Sequence, residues 1–208
     1  GLKEVAKLQK LEGLELTSTQ ITDASLKEVA KLQNLTWLEL AYTNISDAGL
    51  KEVVKLEKLR KLTLNAKITD AGLTDLAKLQ NLNNLSLDHS KISNVGLKEV
   101  AKLQQLEELN LSATKITDAG LKEVAKLRKL INLVLGFTQI TGEGLKDVAK
   151  LQQLGWLDLS YTQITDACLK DVAKLQKLTH LYLNGTKVTK AGAAELKKAL
   201  PKCKIFGK

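Results

Sequence analysis

One spacing constrains this chain more than anything else in it. The pattern L-x-x-L-x-L begins at Leu11, Leu35, Leu59, Leu82, Leu106, Leu130, Leu154 and Leu178, every 24 residues apart from a single step of 23 between the third and fourth. Eight matches at a fixed period define eight copies of one small unit. A unit of that size cannot bury an apolar face alone, so it stacks on its neighbours and the stack forms one continuous coil. The period organises the chain as eight repeats over 1–191, followed by a segment, 192–208, that breaks it.

Each unit divides into two shorter periodicities. In LTWLELAYT, Leu38 and Leu40 alternate with Trp37, Glu39 and Ala41, which puts the leucines on one face of a strand and the others on the opposite face. In SDAGLKEVVKL, Leu50, Val53 and Val54 fall at i, i+3 and i+4, one stripe of a helix, with Lys51, Glu52 and Lys55 pointing away. The Ser/Thr-Asp pair before each helix predicts an N-cap, with Asp suited to the first turn. Strand, turn, helix, turn builds a parallel sheet on one side and a row of helices on the other. Helices are wider than the ~4.8 Å strand spacing, so the array curves with its strands inside. The core is mostly leucine, since methionine is absent and aromatics are only 3% of residues.

Together, LxxLxLxxTxITDAGLKEVAKLQ resembles the bacterial 24-residue leucine-rich repeats, related to the cysteine-containing and ribonuclease-inhibitor-like classes. The resemblance covers essentially the whole chain. It implies an α/β right-handed solenoid with a parallel β-sheet on the concave face and α-helices on the convex face. Thr19, Thr43, Thr114, Thr138, Thr162 and Thr186, with Ser90, stand where many such repeats have Asn. There the family forms a hydrogen-bonded ladder to the neighbouring unit's backbone, which a hydroxyl could also form. The third unit is one residue short, which predicts a tightened turn after Leu64 and a gap in the ladder. GAAELKKALPKCKIFGK resembles the closing segment of such proteins: a helix, Pro201 as a stop, then CKIF as a final strand over the last leucines. Gly1 enters directly at a repeat helix, so either that helix is its own cap or the natural protein continues upstream, the reading favoured here.

The helical half of the unit is nearly constant, whereas the residues around the strand leucines vary. Counting from the first leucine of each unit, the third position reads Gly13, Trp37, Lys61, Asn84, Glu108, Asn132, Trp156 and His180. The fifth reads Glu15, Glu39, Thr63, Ser86, Asn110, Val134, Asp158 and Tyr182, and the eighth includes Tyr42, His89, Phe137 and Tyr161. These outward positions hold both tryptophans, all three tyrosines, both histidines and one of the two phenylalanines; Phe206 is left to the end segment. Large exposed aromatics mark interaction surfaces, and Trp and Tyr dominate binding hot spots. A few aromatics stiffening a sheet by cross-strand packing would be the structural alternative. The expected ligand-binding residues are Trp37, Glu39, Tyr42, His89, Phe137, Trp156, Asp158, Tyr161, His180 and Tyr182. The group from units six to eight is expected to form one patch with Asp158 among it.

Charge points the same way. The net charge of +9 invites a nucleic-acid reading, but the strand segments carry seven acids, Glu12, Glu15, Glu39, Asp88, Glu107, Glu108 and Asp158, against Arg60 and Lys61. The lysines lie on the helices and post-strand turns, so nucleic acid on the concave face meets net repulsion. No glycine-rich phosphate loop or nucleophile motif is present. His89 and His180 are four units apart, roughly 19 Å at the strand spacing, too far to share a metal or a proton. The chain therefore reads as no enzyme, with no metal site and no cofactor. No apolar run approaches the ~20 residues of a membrane span, and no signal-peptide pattern opens the sequence. Two cysteines are too few for a disulfide framework, which favours a reducing, intracellular setting. Cys168 stands at a helix start, where a thiol pKa can be lowered, although a packed structural thiol is the expected role. The sequence thus reads as a protein-binding module for a protein or peptide ligand. The competing class is a spacer or a designed, consensus-like scaffold without a ligand.

Overall fold

The computed structural model describes residues 1–64 and 67–207. Among them, nine three-residue strands form one parallel sheet in chain order. They are β1 (Gly13–Glu15), β2 (Trp37–Glu39), β3 (Lys61–Thr63), β4 (Asn84–Ser86), β5 (Glu108–Asn110), β6 (Asn132–Val134), β7 (Trp156–Asp158), β8 (His180–Tyr182) and β9 (Lys204–Phe206). Equivalent positions pair throughout: Trp37 faces Lys61, Trp156 faces His180, and Tyr182 faces Phe206. The fold is the α/β solenoid expected from the spacing. The 23-residue step keeps this register, since Lys61 pairs with Asn84. The tightened turn and ladder gap expected after Leu64 fall on residues 65 and 66, outside the described residues.

Alternation does what the pattern requires. The central leucine of each strand from β2 to β8 is 0–1% exposed, while its two neighbours face outward. Behind the sheet, Leu50, Leu73, Leu97, Leu121 and Leu145 bring the helices onto the same leucines. Fully burying a leucine contributes about 1.5–3 kcal/mol, and the seam continues without interruption through the array. The helices are shorter than the apolar stripe suggests, from four residues (Leu26–Val29) to ten (Lys190–Ala199). Three of the four-residue helices follow directly on a 3-10 turn, Asp23–Ser25, Asp118–Gly120 and Asp166–Cys168.

The Ser/Thr-Asp pair acts between units more than within them. Asp23 accepts from the Ser46 N–H and hydroxyl at 2.8 and 2.6 Å, and Asp70 does the same for Ser93. Asp47 and Asp166 hold Thr69 and Thr189 alike, and Asn94 takes the Thr117 N–H at 3.0 Å. Cap bonds within one unit are longer where Ser46 and Thr69 make them, 3.4 and 3.3 Å. Ser25 supplies this acceptor within the first unit, its hydroxyl taking the Thr22 N–H at 3.2 Å. Gly142 stands where unit six would carry the aspartate, so among the described residues the ladder lacks that rung. The threonines thought to bridge units instead bond within their own turn. Thr43, Thr138 and Thr162 donate to the carbonyl three residues earlier at 2.6–2.7 Å, which closes the turn after each strand. The ladder between repeats is carried by Asp.

Asp118 is the best-held rung. Burial pushes its carboxyl pKa up, but hydrogen bonds from the Gly144 N–H, the Thr141 N–H and hydroxyl, and the Gly142 N–H outweigh this and hold it below the ordinary carboxylate value. A pKa depressed on folding stabilises above the unfolded value near 4 and loses that contribution as pH falls through the folded value. Asp118→Asn should therefore cost about 1 kcal/mol at pH 7 and distinctly less at pH 3, read from urea unfolding midpoints.

No helix of the described residues is long and apolar enough to cross a membrane.

Candidate functional site

The residues flanking each central leucine emerge together along the inner sheet, and the eighth-position residues line the rim where the chain leaves it. Trp37 is 38% exposed, and its indole reaches over Gly13 of β1. A Cβ on Gly13 would fall 1.9 Å from its indole Nε1, so glycine at that point seats the ring. Five strands away, Trp156 stacks on His180 with centroids 4.8 Å apart and packs at the same distance, tilted, on Tyr182. Tyr182 in turn stacks on Phe206 at 4.6 Å. These four rings form an aromatic ribbon across β7, β8 and β9.

Phe137 and Tyr161 form a second, separate stack at the rim, 4.4 Å between centroids and 15° between planes. Units six to eight thus carry two aromatic surfaces, one on the floor and one on the rim, where the sequence suggested a single patch. Strands advance one residue past the leucine before turning, and that turn lifts the eighth position off the floor. Tyr42 occupies the same rim place in the second unit, and His89 does so in the fourth with its Nδ1 3.1 Å from Asp88 Oδ2.

The rim has an unexpected backbone. Ser18, Tyr42, His89, Ala113, Phe137 and Tyr161 all have φ between 53° and 58°, and Gly185 at the equivalent place has 65°. This left-handed region costs a residue with a Cβ about 1–2 kcal/mol. A solenoid selected for stability alone would place glycine there, as unit eight does. Tyr42 and Phe137 instead hold rings 65% and 60% exposed there, while Ser18 and Ala113 adopt the same conformation without a ring. Tyr42→Gly is expected to leave stability unchanged or raise it by up to about 1 kcal/mol, since relief of strain offsets glycine's entropic cost. Losing a structurally required ring would cost several kcal/mol. Chemical denaturation distinguishes these.

The acids are not equally free. Glu39 is 2.8 Å from Lys61 Nζ, and Asp158 spends Oδ1 on the Ser160 N–H at 2.8 Å. Between the two tryptophan regions lies a trough of about 410 Å³ lined by Lys61, Asn84, Glu108, Asn132, Val134 and Trp156, among others. Polar and apolar side chains mix along it, and Trp156 bounds it on the β7 side. Among the described residues no group of three or more His, Cys, Asp or Glu side chains converges as a metal site would need.

A family model described as Leucine Rich repeat matches residues 31–54, 102–125 and 174–197, each taking in one strand and the helical segment that follows it, the third stopping within Lys190–Ala199. The fold is that of a leucine-rich repeat solenoid. Solved structures similar to it include an internalin (inlF) from Listeria monocytogenes, with 24% identity and a TM-score of 0.70 over 99% of this chain and 69% of that one. An internalin C2 from the same organism has 25% identity and a TM-score of 0.72, covering 97% and 83% of the two chains. A leucine-rich repeat protein from Leptospira interrogans has 26% identity and a TM-score of 0.69, with 98% of this chain matching 56% of that one. No curated protein sequence matches the chain.

Within the solenoid, the sequence reading missed Phe206. Assigned to the end segment, it lies on β9 opposite Tyr182 and completes the ribbon. The signal was available, since Phe206 follows Tyr182 by one full period. Cys168 is also resolved. Burial pushes its thiol pKa up rather than down, and Cys203 shifts the same way for the same reason. Both thiols are free and buried.

Proposed function

We propose that this solenoid, of the bacterial 24-residue type, binds a protein or peptide partner across its concave sheet and adjoining rim. Trp156, His180, Tyr182 and Phe206 form the floor anchor, Phe137 and Tyr161 the rim anchor, and Trp37 with Tyr42 a second contact. The observation that carries this is the exposure of the rim rings: Tyr42, Phe137 and Tyr161 stand 54–65% exposed above a core already closed by leucine. Stacked rings lose little side-chain entropy on binding, which suits them as hot spots. An acidic inner face and a lysine-bearing outer face favour a protein surface with basic groups over nucleic acid. The test is capture of partners by the immobilised chain, compared with a Trp156→Ala/Tyr161→Ala double variant and a convex Lys146→Glu/Lys170→Glu control. Loss of partners with the first variant alone supports the reading; loss with the convex variant alone refutes it.

A further inference from the structure

The trough beside Trp156 shows what the partner brings to it. Trp156 has one side covered by His180 and Tyr182, while its other side borders the trough with Asn132 and Val134. Glu108 stands across the trough on β5, with β6 and its Asn132 between them. Two strand spacings, about 10 Å, separate the strands that carry Trp156 and Glu108. A cation within ~6 Å of an aromatic centroid and ~3 Å from a carboxylate oxygen bridges that span.

The carboxylate is also oriented. Asn84 Nδ2 donates to Glu108 Oε2 at 2.5 Å, which ties one oxygen to β4 while Glu108 lines the trough. The cation lining the same space, Lys61, is held on Glu39 at 2.8 Å. The site therefore offers an aromatic face, a positioned anion and an amide between them. Resting on the concave-face reading, we infer that the trough receives an arginine side chain of the partner, its guanidinium stacked on Trp156 and hydrogen-bonded to Glu108 and Asn132. A planar fork with several donors suits this arrangement better than the single point of a lysine ammonium.

Selection of a phage-displayed dodecapeptide library against the intact chain tests this. The expected peptides carry a common arginine, bind Glu108→Gln at least 10-fold more weakly, and weaken comparably when that arginine is exchanged for neutral citrulline. Glu108 is an exposed side chain, so the exchange leaves the fold intact. Peptides that lack a common basic residue, or bind Glu108→Gln as well as the original chain, overturn the arginine assignment. If such peptides still fail on Trp156→Ala, the concave reading stands without it. Peptides indifferent to Trp156→Ala, or a selection yielding no binder, overturn both.

Discussion

Gly72→Cys is expected to lower the unfolding free energy by about 3 kcal/mol, and Asp47→Gly in the same chain to recover part of that loss. A Cβ on Gly72 would lie 2.4 Å from Asp47 Oδ1 and 2.9 Å from Leu50 Cδ1. The carboxylate cannot withdraw, because it holds the Thr69 N–H and hydroxyl. The same conflict recurs wherever a ladder Asp or Asn faces the next unit, and glycine stands at Gly49, Gly96, Gly120 and Gly192 to meet it. The molecule also contains the compensated pair. Gly142 replaces the aspartate of unit six, and Cys168 fills the place of the following glycine, its Sγ 2.8 Å from where a Cβ on Gly142 would be. Cys168 is thus a packing answer to a missing carboxylate. A double-mutant cycle by urea denaturation should show a favourable coupling of at least about 1 kcal/mol; strict additivity would contradict the account.

Trp156→Ala is expected to weaken partner binding by about 2 kcal/mol or more, some 30-fold, while unfolding free energy falls by no more than about 1 kcal/mol. Trp156 is the junction of the site, touching His180 and Tyr182 on one side and forming the trough wall on the other. Its loss removes the open face and lets the ribbon relax. The fold has little dependence on it, because Leu157 beneath is fully buried by the leucine seam. Calorimetric or interferometric titration of a captured partner, paired with denaturation, separates the two effects. A variant that unfolds would assign the ring to structure instead.

Much of this architecture was legible because repetition states the same constraint eight times. Leu38 and its counterparts fix the face of every strand, and from that follows the exposure of Trp37 and Trp156. What the letters did not show depends on contacts across a full period. Asp23 reads as a helix cap until the neighbouring Ser46 is seen to occupy it. Thr43 reads as a bridge to the next unit until its hydroxyl is found on Leu40. The left-handed rim at Tyr42, Phe137 and Tyr161 leaves little trace in sequence, since only Gly185 hints at it. The division of the aromatics into floor and rim follows from that turn, and Phe206 joined the floor through a strand whose leucine pattern had already lapsed.

Acrylamide quenching of the two tryptophans, in single-tryptophan variants with and without saturating partner, bears most directly on where ligands dock. Both report from the concave sheet. With Trp37→Phe, leaving Trp156 as the sole emitter, the quenching constant is predicted to fall severalfold when partner binds. An unchanged constant for Trp156 under saturation would place the partner elsewhere and contradict the assignment of the inner face.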